Sequence, residues 1–345
     1  MKAGVLYKTG DIQYSDFNDP VCDDDSVIVK VKACGICGSD PPRILNHWKY
    51  PVPAIAGHEF SGTILEKGKN VTGFDINERV TAAPFIPCNK CRYCKSGIYS
   101  MCDNYGMIGS KEYGAFAEYV KVPAGNLVKI YDMDFEDGAM IEPLAVAAHA
   151  LIGIEPQLGD TVAVMGAGII GQLTINWLKV AGITNIIAVD ISDKKLEISK
   201  ELGAKFCINP LHSDLVKSIM DITENNGVDI SMECAGSKIT EEQCLLITRK
   251  KGKVAYIGIA HSDVLLKENA FEGIFRKELT LKGYFNSYSA PFPGREWQMS
   301  VDYVRSGKIV LRNLVSHRFK LSQIKEAFDM IGLKKEEYNK ILIMP

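Results

Sequence analysis

Cys88, Cys91, Cys94 and Cys102 stand in a C-x2-C-x2-C-x7-C array. Gaps that short and regular suit one tetrahedral ion better than a disulfide framework, and four thiolates close a zinc shell completely. Such an ion fixes a loop and leaves no position for a substrate. An iron–sulfur centre uses the same four thiolates and stands as the alternative. Reaction chemistry therefore has to come from other residues.

A second set of donors has that opening. Cys34-Gly-Ile-Cys37-Gly-Ser39-Asp40 precedes Gly57-His58-Glu59, and Glu142 lies farther along. One thiolate, one imidazole and one carboxylate make three protein ligands and keep a fourth position free, as a catalytic zinc requires. Cys37 and His58 are the first two. For the third we place Glu142 ahead of Glu59, with Glu59 either ligating directly or exchanging with water. Asp40 is expected to hold the His58 ring from behind. Ser39 is expected to pass a proton outward from an alcohol, and Cys34 to be packed core. Singly, each residue has a plainer role: a satisfied buried histidine, a helix-capping acid, a turn-capping serine. Their combination in one chain points to a metal site. Cys22, Cys207, Cys234 and Cys244 read as core or strand residues, and His149, His212, His261 and His317 have no partner at ligand spacing.

The third constellation is glycine-rich. Gly166-Ala-Gly168-Ile169-Ile170-Gly171 follows the apolar run TVAVM and opens a helical pattern, and Asp190 ends the next apolar run. The first glycine allows the tight turn, the second lets backbone approach a pyrophosphate, and the third lets helix pack on strand. Amide groups at the helix start then face the phosphate charge. Asp190 accepts from ribose hydroxyls and repels a 2′-phosphate, and Ile191 and Ser192 after it offer no arginine, so NAD is expected over NADP. Ala235 and Ile257, at the ends of later strand-like runs, are expected to line the nicotinamide side.

The elements that must position these groups fall into two patterns. Up to about Asp137 the chain shows short runs such as VIVKVKA (27–33) and TAAPFIP (81–87) broken by Gly, Pro and Asn turns, a β-rich domain with long loops. After the apolar helical stretch PLAVAAHALIGI, strand-like segments (161–166, 185–190, 206–209, 228–233, 253–258 and 279–285) alternate with helical ones such as 193–202 and 215–225. That alternation specifies crossovers and a parallel sheet. A helix near 296–305 and a closing helix and strand within 322–344 belong with the first domain. The expected division is therefore 1–145 with 286–345, and 146–285.

With 345 residues, about two domains is the natural count. Forty basic side chains against 42 acidic ones leave no field for a polyanion, so nucleic acid is excluded as a partner. The start, MKAGVLYKTGD, has no apolar run, the stretch 139–154 is interrupted by Glu142, Pro143 and His149, and ten cysteines accompany no secretion signal. A cytoplasmic protein with reduced thiols is expected.

With both donor sets and the glycine fingerprint in chain order, the sequence resembles the zinc-dependent medium-chain dehydrogenases, over its whole length. CGICGSD, GHE and IEP resemble the polyol dehydrogenase branch, where the third position of the zinc site is a glutamate. Gly38-Ser-Asp-Pro-Pro-Arg43, Gly97-Ile-Tyr-Ser100, Ile108-Gly-Ser110, Arg276-Lys-Glu-Leu-Thr280 and 287–297 (SYSAPFPGREW) resemble the members acting on a polyol phosphate. The resemblance implies a GroES-like catalytic domain, a Rossmann domain, two zinc ions, NAD and a homodimer or homotetramer. It implies oxidation of galactitol 1-phosphate to tagatose 6-phosphate, with sorbitol or another free polyol, butanediol and threonine as alternative substrates. Arg43, His47 and Lys49, on the loop between the donor segments, are the candidate phosphate clamp. A non-catalytic nucleotide- or zinc-binding protein on the same fold is the rival from another class.

Overall fold

The computed structural model describes residues 1–260 and 262–345. They divide into two compact units, Met1–Ala145 with Tyr288–Pro345, and Val146–Ser287. The helix Ile141–Ile154 carries the chain from one to the other.

In the first unit Ser26–Gly35 is the central strand. Its Val27, Val29 and Val31 alternate into the core while it pairs antiparallel with Glu59–Lys67, Tyr119–Pro123 and Lys340–Met344. Arg79–Ala82 and Leu127–Lys129 extend the sheet on one side, and Val315–Lys320 lies parallel to Lys340–Met344 on the other. Phe60, Ile64, Phe116, Phe328, Ile341 and Ile343 fill the interior. The run expected over 81–87 is two strands, Arg79–Ala82 and Phe85–Ile86. Pro84 lies at the break, where a residue without an N–H cannot continue a ladder.

The second unit holds, among the described residues, a six-stranded all-parallel sheet. Its spatial order is Phe206–Ile208, Asn185–Val189, Thr161–Met165, Val228–Glu233, Thr248–Tyr256 and Thr280–Gly283. That is the third, second, first, fourth, fifth and sixth strand in chain order, the doubly wound nucleotide-binding arrangement. Ala163, Met165, Ile187, Val189 and Val254 are wholly buried or nearly so, as strands covered on both faces require. The helix expected over 215–225 stops at Ile222, and Glu224 and Asn225 follow in left-handed conformations. Lys238–Ile247 and Glu268–Arg276 provide the later crossovers.

Candidate metal centres and nucleotide site

The four cysteines of the short array come together in the first unit, their sulfurs all within 4.8 Å of one another. Cys88 and Cys94 Sγ are 4.0 Å apart. A zinc–sulfur bond of about 2.3 Å sets tetrahedral sulfurs roughly 3.8 Å apart, so the cage has the dimension of that ion. Local backbone builds it. Cys91 caps the short helix Arg92–Lys95 and accepts from Cys94 N at 3.5 Å, while Cys91 N donates to Cys88 Sγ at 3.4 Å and Cys88 N to Cys102 Sγ at 3.3 Å. N–H groups of Lys90 and Cys91 lower the Cys88 pKa, and those of Cys94 and Asp103 bring Cys91 down to about 6. Burial instead pushes Cys94 up to about 12. All ten cysteines are free of disulfides, and Cys207, read from sequence as a core or strand residue, lies exposed on the three-residue strand Phe206–Ile208.

The second donor set follows from strand register. Gly35 pairs with Glu59, so Cys37 just beyond one strand meets His58 and Glu59 at the start of its neighbour. One donor atom from each of Cys37, His58 and Glu59 lies within 4.8 Å of the other two. Glu142, placed ahead of Glu59 from the sequence, is not one of those three, yet its charge reaches Cys37, and those of His58 and Glu59 reach it. It opens a helix on a separate chain segment, whereas Glu59 follows His58 directly. Glu142 is buried all the same. Burial first, then the Glu59 and Asp40 carboxylates against His58 and Lys340, moves its pKa up to about 7.

The charge around this set is incomplete. Burial, reinforced by Glu59, Asp40 and Glu142, holds the Cys37 thiol well above its ordinary range. Desolvation also raises Asp40, with His58 opposing it. Among the described residues, four acidic groups thus gather around one buried ammonium, and a divalent cation held by Cys37, His58 and Glu59 would supply the missing positive charge. Asp40 Oδ1 lies 3.6 Å from His58 Nδ1, and its Oδ2 accepts from Cys37 N at 3.0 Å. The carboxylate therefore braces the loop carrying one donor while facing the ring of the other. Ser39 Oγ, expected at the substrate oxygen, donates to Cys37 Sγ at 3.2 Å.

Sequence reasoning missed Lys340 and Tyr288. Lys340 is 1% exposed and pairs with Glu59 Oε2. Against the cost of burial, Glu59, Cys37 and Glu142 keep its pKa above the usual lysine value. Tyr288 is buried, its hydroxyl accepts from Phe85 N at 3.3 Å, and its pKa is raised by burial and then by Glu142. A lysine opening the apolar run KILIM is an oddity visible in the sequence, but nothing there names its partner. Of the candidate phosphate clamp, Arg43 lies where its charge reaches Asp40, while His47 and Lys49 are exposed. His149 packs edge-on against Tyr284, His212 pairs with Asp193 and His317 with Glu336; His261 lies outside the described residues.

In the second unit Gly166 turns at φ +97°, a conformation other residues resist. A Cβ on Gly171 would overlap Gly166 O, so the helix Ile169–Val180 packs as closely as the fingerprint demands. A Cβ on Gly168 would meet nothing within 4 Å, leaving open space where a pyrophosphate approaches. Asp190 accepts from Ala167 N at 2.7 Å and Ser192 N at 2.9 Å, tying the glycine turn to the end of the second strand. Ala235 sits against Gly166, and the Glu233 carboxylate fixes its turn through Ala235 N (2.9 Å), Gly236 N (3.0 Å) and Thr240 Oγ1 (2.7 Å). Ile257 N donates to Glu233 O at 2.9 Å in the adjoining turn. These residues fit a dinucleotide.

Comparison with known proteins agrees with this construction. The alcohol dehydrogenase GroES-like domain matches residues 23–132 and the zinc-binding dehydrogenase domain residues 170–302. Galactitol 1-phosphate 5-dehydrogenase of Escherichia coli (strain K12) is 34% identical over 322 residues, 93% of each chain. The chain belongs to the zinc-binding alcohol dehydrogenase family. Sorbitol dehydrogenase of Bacillus subtilis (strain 168) is 31% identical across 100% of this dehydrogenase and 97% of the relative. The crystal structure of galactitol-1-phosphate dehydrogenase from Escherichia coli matches with a TM-score of 0.95 at 33% identity, covering 100% of both chains. A zinc-binding dehydrogenase from Sinorhizobium meliloti 1021, solved bound to NADP, matches with a TM-score of 0.91 at 30% identity, covering 100% of this chain and 99% of that one. Family, fold and zinc chemistry thus agree with the medium-chain dehydrogenase resemblance. No described helix is long and apolar enough to cross a membrane.

Proposed function

We propose that this dehydrogenase oxidises a secondary hydroxyl of a polyol phosphate with NAD, in the cytoplasm, with galactitol 1-phosphate giving tagatose 6-phosphate as the first assignment. The observation that carries the reaction class is the clustering of Cys37, His58 and Glu59 donor atoms within 4.8 Å. The phosphate assignment leans on the segments around Arg43 and on the 34% identity to galactitol 1-phosphate 5-dehydrogenase. When bound, zinc on this set polarises an alcohol and lowers its pKa, and NAD takes up the hydride.

The remaining work falls to side chains. Asp40 fixes the ring nitrogen that faces the metal by drawing His58 Nδ1 toward itself. The Ser39 hydroxyl donates a hydrogen bond to the Cys37 sulfur, which leaves lone pairs on its oxygen to accept a hydrogen bond from the alcohol; to relay the alcohol proton it would turn its own O–H toward water and release that proton as it takes the other. Arg43, whose charge reaches Asp40, binds the substrate phosphate as a planar fork, with His47 and Lys49 adding hydrogen-bond donors from the same loop.

A substrate panel tests the assignment. Galactitol 1-phosphate is expected to exceed galactitol, sorbitol, butanediol and threonine in kcat/KM by at least about a hundredfold, the worth of one charge-assisted phosphate clamp. Equal rates with and without the phosphate leave a free-polyol dehydrogenase. No reduced cofactor from any alcohol leaves the non-catalytic rival.

Asp190 supports NAD, since both carboxylate oxygens lie at the end of the second strand beside the glycine turn. Asp190→Ser is expected to raise the NADP-to-NAD ratio of kcat/KM by about tenfold or more, because a like charge is removed from the 2′-phosphate position. An unchanged ratio removes Asp190 from cofactor choice.

Thr280–Gly283 ends the parallel sheet with all four residues exposed, and Leu281 and Phe285 nearby are exposed apolar side chains. An unprotected edge of this kind supports pairing with a second copy. Leu281→Lys is expected to shift sedimentation from dimer or tetramer toward smaller species; a wild-type chain that sediments as a monomer refutes the pairing.

A further inference from the structure

Lys340 is neither a metal donor nor a proton carrier in that chemistry. Its side chain is buried beside the metal donors, yet an ammonium offers them no ligand. It reaches Glu59 Oε2 and donates to Ile36 O at 3.1 Å. The space it occupies exists because position 35 is glycine: a Cβ there would come within 2.5 Å of Glu59 Oε2, 2.6 Å of Lys340 Cε and 2.9 Å of Lys340 Nζ. Strand register places it there from the far end of the chain. Leu342 pairs with Gly35 and Ile343 with Cys34, so Lys340 falls opposite Cys37. Backbone, glycine and ion pair together form a seat for one positive charge next to Glu59.

We infer that Lys340 is a positioning residue for the metal centre: by holding one oxygen of Glu59, it limits how much of that carboxylate the metal receives. The inference rests on the assignment of Cys37, His58 and Glu59 as the zinc set. An ammonium this close repels a divalent ion across a poorly screened interior, so it weakens binding. It also draws negative charge away from the ion, which keeps the ion electrophilic toward an alcohol. Removing Lys340 delivers the whole carboxylate to the metal, giving tighter binding and a changed donor field. Without metal, the same removal leaves Glu59 buried and uncompensated.

The test uses the full chain loaded with zinc or cobalt. In chelator competition, Lys340→Met is expected to hold zinc at least about tenfold more tightly than wild type, as loss of one nearby positive charge predicts. The visible bands of the cobalt form are expected to shift. On a Glu59→Gln background the same substitution should have a clearly smaller effect on both quantities, because the part that acts through that carboxylate is gone. Lys340→Arg guards against a methionine variant that does not fold. Its fork takes both carboxylate oxygens, so zinc should bind more weakly than in wild type and the bands should again move. Wild-type affinity and bands in either folded variant overturn the inference, as does an equal effect on the Glu59→Gln background. A wild-type chain that holds one metal ion instead of two overturns the zinc assignment itself, an outcome separate from two ions indifferent to Lys340.

Discussion

Cys37→Ser is expected to lower kcat/KM for a polyol phosphate by at least about a thousandfold, since a polarising ion contributes several kcal/mol to an alcohol's reaction. Metal content should fall from two ions per chain to one, matching the two donor groupings among the described residues. Serine is nearly isosteric with cysteine, but its hydroxyl does not ionise near neutrality and is a poor substitute for a thiolate. The substitution also leaves Glu59, Asp40 and Glu142 without the ion's charge, with Lys340 buried among them as a counter-charge. Metal analysis and turnover on the same sample separate the two effects. Far-ultraviolet circular dichroism should stay close to wild type, because Cys37 lies past the end of the strand Ser26–Gly35. Full turnover with both ions retained would remove Cys37 from the chemistry.

The cysteine cage predicts a different kind of loss. Cys94→Ala opens the only shell that is closed by protein atoms alone among the described residues, and burial pushes its thiol up to about 12. Without the ion, residues 88–102 keep only a four-residue helix and a single 3-10 turn, too little regular structure to hold their shape. The expected cost is about 2–5 kcal/mol, the range for losing one native cross-link. In a melting experiment this corresponds to a fall of roughly 5–15 °C. Prolonged chelation of the wild-type chain should produce the same fall and release two ions. A melting temperature unmoved by either treatment would mean that the cage stabilises nothing.

What could be read from sequence was whatever chain proximity encodes. Gly166, Gly168 and Gly171 announce a turn because their demands are met within six residues, and Asp190 is found by counting one strand onward. The cysteine cage closes within fifteen positions. No spacing rule says which of two carboxylates, Glu142 or Glu59, reaches an ion; Glu59 comes beside Cys37 only through the pairing of Gly35 with Glu59. Lys340 lay farther out of sight. Its partner is 281 residues away, and both are nearly fully buried, where sequence pattern would place an apolar pair. Pro84 interrupts a strand that hydropathy alone makes continuous. Ser39 was placed near the chemistry, but its bond to the Cys37 sulfur is set by the local turn and is invisible to composition.

The strand Lys340–Met344 lies between Ser26–Gly35 and Val315–Lys320. The sheet built on Ser26–Gly35 therefore cannot close until Lys340–Met344 has been synthesised. During synthesis the parallel-sheet unit, Val146–Ser287, has all its own strands at hand and can settle first. The nascent β-rich half waits with an unfilled slot, a natural place for a chaperone to hold it.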